Sequence, residues 1–380
     1  MKAKIIIGAN YGDEGKGTVC ATCTRNFDGK TLNVLTNGGP QRGHSYQKDN
    51  GGYVTFKHFG SGTLFNADNY FYKTFIVNPM AFVIEYNNLY LDESTKVYCS
   101  DKCRFTTPFD SLANLIMEVR RKENKHGSCG MGIWNTIQRY SKQVANISFC
   151  DFMKLTYIDK FNCLAIVRKY YTDILGELES EYKSIWFNDN MIAHFIEDCI
   201  IMKHRIVFIS DTEAKTKFSS YEQIIFENGQ GLLLTDTGKD IAGTTPTNTT
   251  SLYAVQAINE IFTTVDSVEY RYITRPYITK HGNGDFENEC EKSVVSTDIK
   301  QEETNAYNDN QGEFRYGILN IPNLKDRIIS DYNNTSNLVK NSSLILDVTH
   351  CDEVDRTKEF NDVFKNIKIN EYFSPKILKC

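Results

Sequence analysis

Ala3-Lys4-Ile5-Ile6-Ile7, running into Gly8-Ala9-Asn10-Tyr11-Gly12-Asp13-Glu14-Gly15-Lys16-Gly17-Thr18, decides how this chain folds. The short β-branched run predicts a buried strand. Thr18 to Phe27 reads as a helix. Glycines, a lysine and two acids therefore sit where a strand turns into a helix. Exposed backbone N–H groups and a helix N-terminus together make an anion site there. Gly12, Gly15 and Gly17 let the backbone approach a phosphate, and Lys16 supplies a point charge. The loop is P-loop-like without being a Walker A sequence. Asn10 stands where that motif has its first glycine, and Gly17 where it has Ser or Thr. Carboxylates beside a triphosphate repel it unless they hold a metal or a proton.

Outward from this loop the same pattern repeats. Leu32-Asn33-Val34-Leu35 predicts a strand and ends in Asn37-Gly38-Gly39-Pro40-Gln41-Arg42-Gly43-His44-Ser45. A polar strand pair through Phe56 to Gly62 is expected next. Phe75-Ile76-Val77 then leads into a helix opened by Pro79. Asp110 to Arg121 reads as a helix, followed by a third glycine loop, Gly127-Ser128-Cys129-Gly130-Met131-Gly132. Residues 150–203 read as helical. Further strands are expected at 205–209, 223–227, 265–274 and 343–348, with a long loop over 281–312. Strands alternating with helices, and glycine loops at strand ends, predict an α/β fold. Residues 1–380 are expected to form one large domain around a mixed, mainly parallel sheet, with the site at its C-terminal edge.

Bulk properties narrow the function. The chain has 380 residues and a formal charge of −5, without a basic block, which disfavours nucleic acid as a partner. No apolar run reaches the roughly 20 residues of a membrane span, and the N-terminus enters a strand directly. A cytoplasmic location is expected, in the host if the chain is phage-encoded. Eleven cysteines without a framework fit reduced thiols. Cys20 and Cys23 read as small core residues rather than a metal pair.

Four segments carry a specific resemblance: Gly12-Asp13-Glu14-Gly15-Lys16-Gly17, Gly38-Gly39 through Gly43-His44-Ser45, Phe226-Glu227-Asn228-Gly229-Gln230-Gly231, and Thr245-Pro246-Thr247-Asn248-Thr249-Thr250. Together they resemble adenylosuccinate synthetase, the purine-pathway ligase; the loop over 304–317 is similar to the form in its shorter archaeal and phage-encoded relatives. The resemblance implies Mg²⁺, a homodimer, and L-aspartate joined to C6 of a 6-oxopurine mononucleotide through a 6-phosphoryl intermediate. The residues suit that chemistry. O6 is a poor nucleophile until N1 loses its proton, and a carboxylate in the phosphate loop can take that proton and ligate Mg²⁺. Asp13 matches the family's base and metal ligand. Gly12, Glu14, Gly15, Lys16 and Gly17 match its triphosphate cradle. His44 matches a donor to the transferring phosphoryl group, and Gln230 a group near O6. The resemblance also assigns Gly43 to Mg²⁺ and the triphosphate, Ser45 to the triphosphate, and Gln41 to the purine ring. Ser128, Cys129 and Thr245 fall at the 5′-phosphate. Arg139 or Lys142 is expected to supply an arginine-like contact across a dimer interface.

Two regions depart from the pattern. Thr304 to Gly317 replaces an arginine-rich loop, leaving Arg315 as the cation for aspartate's carboxylates, with Asn308 and Gln311 beside it. Thr349-His350-Cys351-Asp352 resembles a guanine-reading segment in which Asp352 accepts from the base, but His350 replaces a lysine. GTP and ATP both stay open as phosphoryl donors. Among acceptors IMP is expected, because a 2-amino group would crowd Asp13. The alternative is dGMP, the substrate of the phage branch that makes a 2-aminoadenine precursor. A non-catalytic nucleotide-binding regulator is the remote alternative.

Overall fold

The computed structural model describes residues 1–89, 91, 94–235, 244–299, 307–308 and 311–373, with backbone only at 307–308. Its centre is a nine-stranded sheet. In chain order the strands are β1 (Lys2–Gly8), β2 (Thr31–Leu35), β3 (Asp68–Phe71), β4 (Val97–Ser100), β5 (Val207–Ile209), β6 (Gln223–Gly231), β7 (Ser267–Thr274), β8 (Ser342–Val348) and β9 (Lys368–Glu371). Across the sheet they run β9-β8-β7-β1-β6-β2-β3-β4-β5, and every pairing is parallel. The antiparallel ladders lie outside it, in small ribbons such as His44–Gln47 with Tyr53–Phe56.

A parallel sheet covered on both faces needs apolar side chains on both, so its strands read as continuous runs rather than alternations. β1 shows this, with Ile5, Ile6 and Ile7 all fully buried. Ile5 and Ile7 join a core with Leu32, Val34, Phe226 and Tyr272. Ile6 faces the other way, onto Val19, Cys20 and Cys23 of the first helix. The two cysteines are thus small core residues, and all ten cysteines among the described residues are free thiols. A second large apolar cluster joins β3 and β4 to the helices between 108 and 205.

The first helix spans Lys16–Arg25, two residues earlier than the sequence suggests. Helix Pro108–Arg121 is opened by a capping box between Thr107 and Asp110, with Pro108 in its first turn. The region expected as one long loop also holds a short strand, Glu289–Cys290, and a helical turn, Lys292–Val295. No helix among the described residues is long and apolar enough to cross a membrane. Because the sheet is parallel, the segments after β1, β2, β6, β7 and β8 emerge at one edge. β1 lies between β6 and β7 there, next to the crevice where such sheets place ligands.

Candidate functional site

The loop after β1 is shaped by close contacts. Gly12 has φ +112°, and a Cβ there would lie 2.9 Å from the Gln230 Cα. Gly17 lies against the His44–Ser45 backbone, where a Cβ would come within 2.7 Å of the Ser45 carbonyl oxygen. That approach accounts for glycine where a Walker loop has a hydroxyl residue. The helix Lys16–Arg25 starts after Gly15 in the left-handed region, with no side-chain cap. Its first N–H groups lack the partner a capping residue would give them. Inside the loop, Glu14 Oε1 accepts the N–H groups of Asn10 (2.9 Å) and Gly12 (3.0 Å). Lys16 Nζ lies 3.8 Å from Glu14 Oε2 and donates to the Gly12 carbonyl. Both side chains are buried. Burial pushes the Glu14 carboxyl up and the Lys16 ammonium down, with mutual attraction opposing each shift. The Glu14 carboxylate thus holds N–H groups of the kind that bind anions.

The loop after β2 brings in His44. Its Nδ1 donates to Glu227 Oε1 at 2.6 Å, and both side chains are buried. Glu227 also accepts from the Ser61 N–H (2.7 Å) and hydroxyl (2.6 Å), and lies 3.5 Å from the Arg42 guanidinium. Burial, then the Arg42 charge, pulls the imidazole down to about 3, against the pull of Glu227. Burial resists ionisation of Glu227, but Arg42 and His44 outweigh it and bring the carboxyl to about 2. The pair is therefore an ionised carboxylate holding a neutral imidazole by Nδ1, which leaves Nε2 for whatever enters. Ser45 is tied to Thr55 by a 2.8 Å hydroxyl pair.

β6 contributes through an irregularity. Ile6 pairs with Glu227 but Gly8 with Gly231, so β6 bulges by two residues between those pairs. Gln230 sits in that bulge with φ +57°, a strained conformation for a non-glycine residue. Its Oε1 is buried without a partner, as are both amide atoms of Gln41.

These segments enclose a cavity of about 530 Å³. Gly12, Asp13, Gln41, Gly43, His44, Ser128, Cys129, Gln230, Thr245 and Gln311 all line it. So does His281, to which no role was assigned from the sequence. Both its ring nitrogens are buried and unpartnered, and its ring packs 4.5 Å from Phe314. Glu227 was part of a quoted motif but carried no assigned role. Its contact with His44 shows only in the folded chain.

Not every expected site residue lies on this lining. Arg139 is a correction. Its guanidinium is fully buried and bonded to Asp110 (2.9 and 3.1 Å) and to the Phe105 carbonyl (3.0 Å). A side chain buried on this ion pair cannot extend to a partner subunit. Arg315 is outside the cavity lining. It donates to both Glu289 oxygens and to the Gly282 and Gly284 carbonyls. Its cross-strand neighbour is Lys280, whose ammonium burial and then Arg315 push down to about 8. Gln311 donates 2.9 Å to the Gly127 carbonyl, bridging the late hairpin to the third glycine loop. The Asn308 side chain lies outside the described residues. Asp352 is exposed on the segment after β8. Thr349 of that segment donates 2.7 Å to the Glu14 carbonyl and packs on Gly15.

The comparisons agree with this architecture. The family model for adenylosuccinate synthetase matches residues 5–360. The adenylosuccinate synthetase of Lactobacillus acidophilus is 24% identical over 296 residues, 76% of this chain but only 65% of that protein. That of Flavobacterium johnsoniae is 26% identical over 311 residues, 78% of this chain and 68% of the relative. Among solved structures, fully ligated adenylosuccinate synthetase from Plasmodium falciparum superposes with a TM-score of 0.70 at 16% identity, covering 92% of this chain and 77% of that one. Cyanophage S-2L succinoaminodeoxyadenylate synthetase, bound to dGMP and to dATP as an energy donor, gives 0.64 at 11% identity, covering 99% and 93%. With its family model matched over most of its length, this chain belongs to the adenylosuccinate synthetase family.

Proposed function

We propose that this chain joins L-aspartate to C6 of a 6-oxopurine mononucleotide, using the γ-phosphoryl group of GTP or ATP. The observation that carries this reading is one cavity, beside the phosphate loop, lined by Asp13, His44 and Gln230. Asp13 takes the N1 proton as O6 attacks the γ-phosphorus, and the nucleoside diphosphate leaves. The aspartate amine then attacks C6, and phosphate departs carrying O6. His44 donates from Nε2 once incoming phosphate charge favours its protonated form, and Glu227 fixes the ring. Gln230 donates toward O6, and Gly12, Glu14, Gly15, Lys16, Gly17, Gly43 and Ser45 surround the triphosphate. Asp352 reads the triphosphate's base. Ser128, Cys129 and Thr245 serve the 5′-phosphate, with Gln41 at the purine ring. Arg315, helped by Gln311, would take aspartate's carboxylates by exchanging the exposed Glu289, a partner that costs little to release. The protein is expected to work as a homodimer.

Mg²⁺ fits the donors present. It favours oxygen ligands, retains waters, and binds through one or two carboxylates together with substrate phosphates. The Asp13 carboxylate and the Gly43 backbone would hold it. Bound there, it neutralises phosphate charge.

The acceptor we favour is IMP. Asp13 must approach N1, and a 2-amino group on the neighbouring carbon would occupy that space or hold the carboxylate off N1. A second reading, dGMP, has its own support: the cyanophage enzyme and this chain cover each other almost completely. The unpartnered Gln41 amide offers a donor and an acceptor to either purine. Competition between IMP and dGMP decides. Misplacing a base by about 1 Å can cost on the order of a hundredfold, so IMP should win clearly in kcat/KM. Faster conversion of dGMP would reverse the substrate choice and leave the ligase class standing.

Glu227→Gln keeps shape but removes the charge that fixes His44. We expect kcat to fall about tenfold or more, ~1.4 kcal/mol of barrier, with little change in nucleotide KM. A lowered melting temperature with unchanged kcat would make Glu227 a structural residue only.

A further inference from the structure

A mononucleotide in this cavity brings a phosphate dianion, and the cavity-lining residues assigned to it so far carry no positive charge. Cys129 is a poor donor, Met131 is apolar, Arg139 is held by Asp110, and Lys142 is exposed outside the cavity lining. Among the described residues, the permanent cations lining the cavity are Arg42 and Arg121. Arg42 is committed: it is buried and donates to the Glu227 and Phe59 carbonyls at 2.9 and 3.2 Å. Lys57 exerts its charge on Cys129 without lining the cavity.

Arg121 ends the helix Pro108–Arg121, and its guanidinium donates to Glu118 Oε1. The other oxygen of Glu118 accepts the N–H groups of Gly127 (3.0 Å) and Ser128 (3.4 Å). A buried carboxylate thus joins an arginine fork to the first N–H groups of the third glycine loop. A phosphate monoester offers the same acceptors with more charge, and an arginine fork suits it in two-pronged geometry. The Arg121 side chain keeps 29% exposure, whereas Glu118 keeps 4%. The arginine is therefore the member of the pair that can turn toward a ligand.

We propose that Arg121 is the cationic clamp for the 5′-phosphate of the purine mononucleotide, supplied by the same chain and released to it from Glu118. This rests on the functional reading above. The geometry also gives Glu118 a role: it keeps the loop N–H groups and the arginine converged until phosphate replaces it.

The test is equilibrium binding by calorimetry to the full-length protein. IMP and dGMP are each compared with their nucleosides, inosine and deoxyguanosine. The proteins are wild type, Arg121→Leu, Arg121→Lys and Glu118→Gln. A charge-assisted pair predicts that Arg121→Leu weakens the preferred nucleotide about 10- to 100-fold while leaving its nucleoside unchanged. Arg121→Lys should recover part of that loss. Glu118→Gln, which frees the arginine, should bind the nucleotide at least as tightly as wild type. Equal weakening of nucleotide and nucleoside, or no weakening, overturns the clamp. Wild type that binds both nucleosides and gains nothing from the phosphate overturns it too, while sparing the purine reading. Wild type that binds none of the four ligands overturns the functional reading and the clamp with it.

Discussion

Asp13→Ala is expected to lower kcat by about 10² to 10⁴, the usual worth of a positioned general base, while leaving the fold intact. The fold should survive because Asp13 is tied into the structure through its main chain. Its carbonyl accepts a 2.6 Å hydrogen bond from Arg275 Nε, which truncation of the side chain does not touch. Its neighbours Gly12 and Glu14 are held by their own contacts with the β6 bulge and with the loop N–H groups. What disappears is the carboxylate on the cavity wall. Without it the N1 proton has nowhere to go as O6 attacks, and O6 stays a weak nucleophile. Steady-state kinetics with a melting curve checks this. A variant that kept a tenth of wild-type kcat, about 1.4 kcal/mol lost, would remove Asp13 from the role of base.

His44→Asn is expected to lower kcat by about 10² to 10³, the range for a lost transition-state donor, with a smaller effect on nucleotide KM. The buried carboxylate beneath it holds the ring by Nδ1. Asparagine is shorter and would meet Glu227 without presenting a donor where Nε2 stood. Charge grows on the phosphoryl oxygens and on departing O6 during the reaction, so the missing donor costs most in the transition state. A loss confined to KM would make His44 a ground-state contact. The substitution also tests Glu227, because a ring that matters only when oriented makes the two losses less than additive.

Most strands visible in the sequence lie inside the sheet and are covered on both faces; the expected strand at 205–209 differs, because β5 is an edge strand with Val207 exposed. Ile5-Ile6-Ile7, Leu32-Asn33-Val34-Leu35 and Ile224-Ile225-Phe226 are near-continuous apolar runs, and all became central parallel strands. β3, Asp-Asn-Tyr-Phe, and β4, Val-Tyr-Cys-Ser, were not legible, although all eight residues are buried. Their polar members are paired by other parts of the chain: Asp68 accepts from the Tyr221 hydroxyl, and Asn69 Oδ1 from the Gly60 N–H at 2.8 Å. β9, at the sheet edge, is short and largely polar, and none of its residues is fully buried.

The site divides in the same way. Loops that follow central strands could be located from glycine patterns, because tight turns and close backbone approach constrain residue type locally. Partners that meet only in the folded chain could not. Arg139 reads as an available arginine until Asp110, 29 residues earlier, is seen to hold it. Arg121 reads as an ordinary helix-end cation until Glu118 joins it to the third loop. The Gln230 bulge depends on a register shift against β1 that no local pattern in β6 announces.

The central claim is that O6 leaves with phosphate. A 6-oxopurine mononucleotide labelled with heavy oxygen at O6 should be incubated with the purified chain, L-aspartate, Mg²⁺ and GTP or ATP. The products are then read by mass spectrometry. The predicted result is one labelled oxygen in inorganic phosphate for each succinyl-purine nucleotide formed. Product formation with unlabelled phosphate, or triphosphate hydrolysis that leaves the label on the purine, would contradict it.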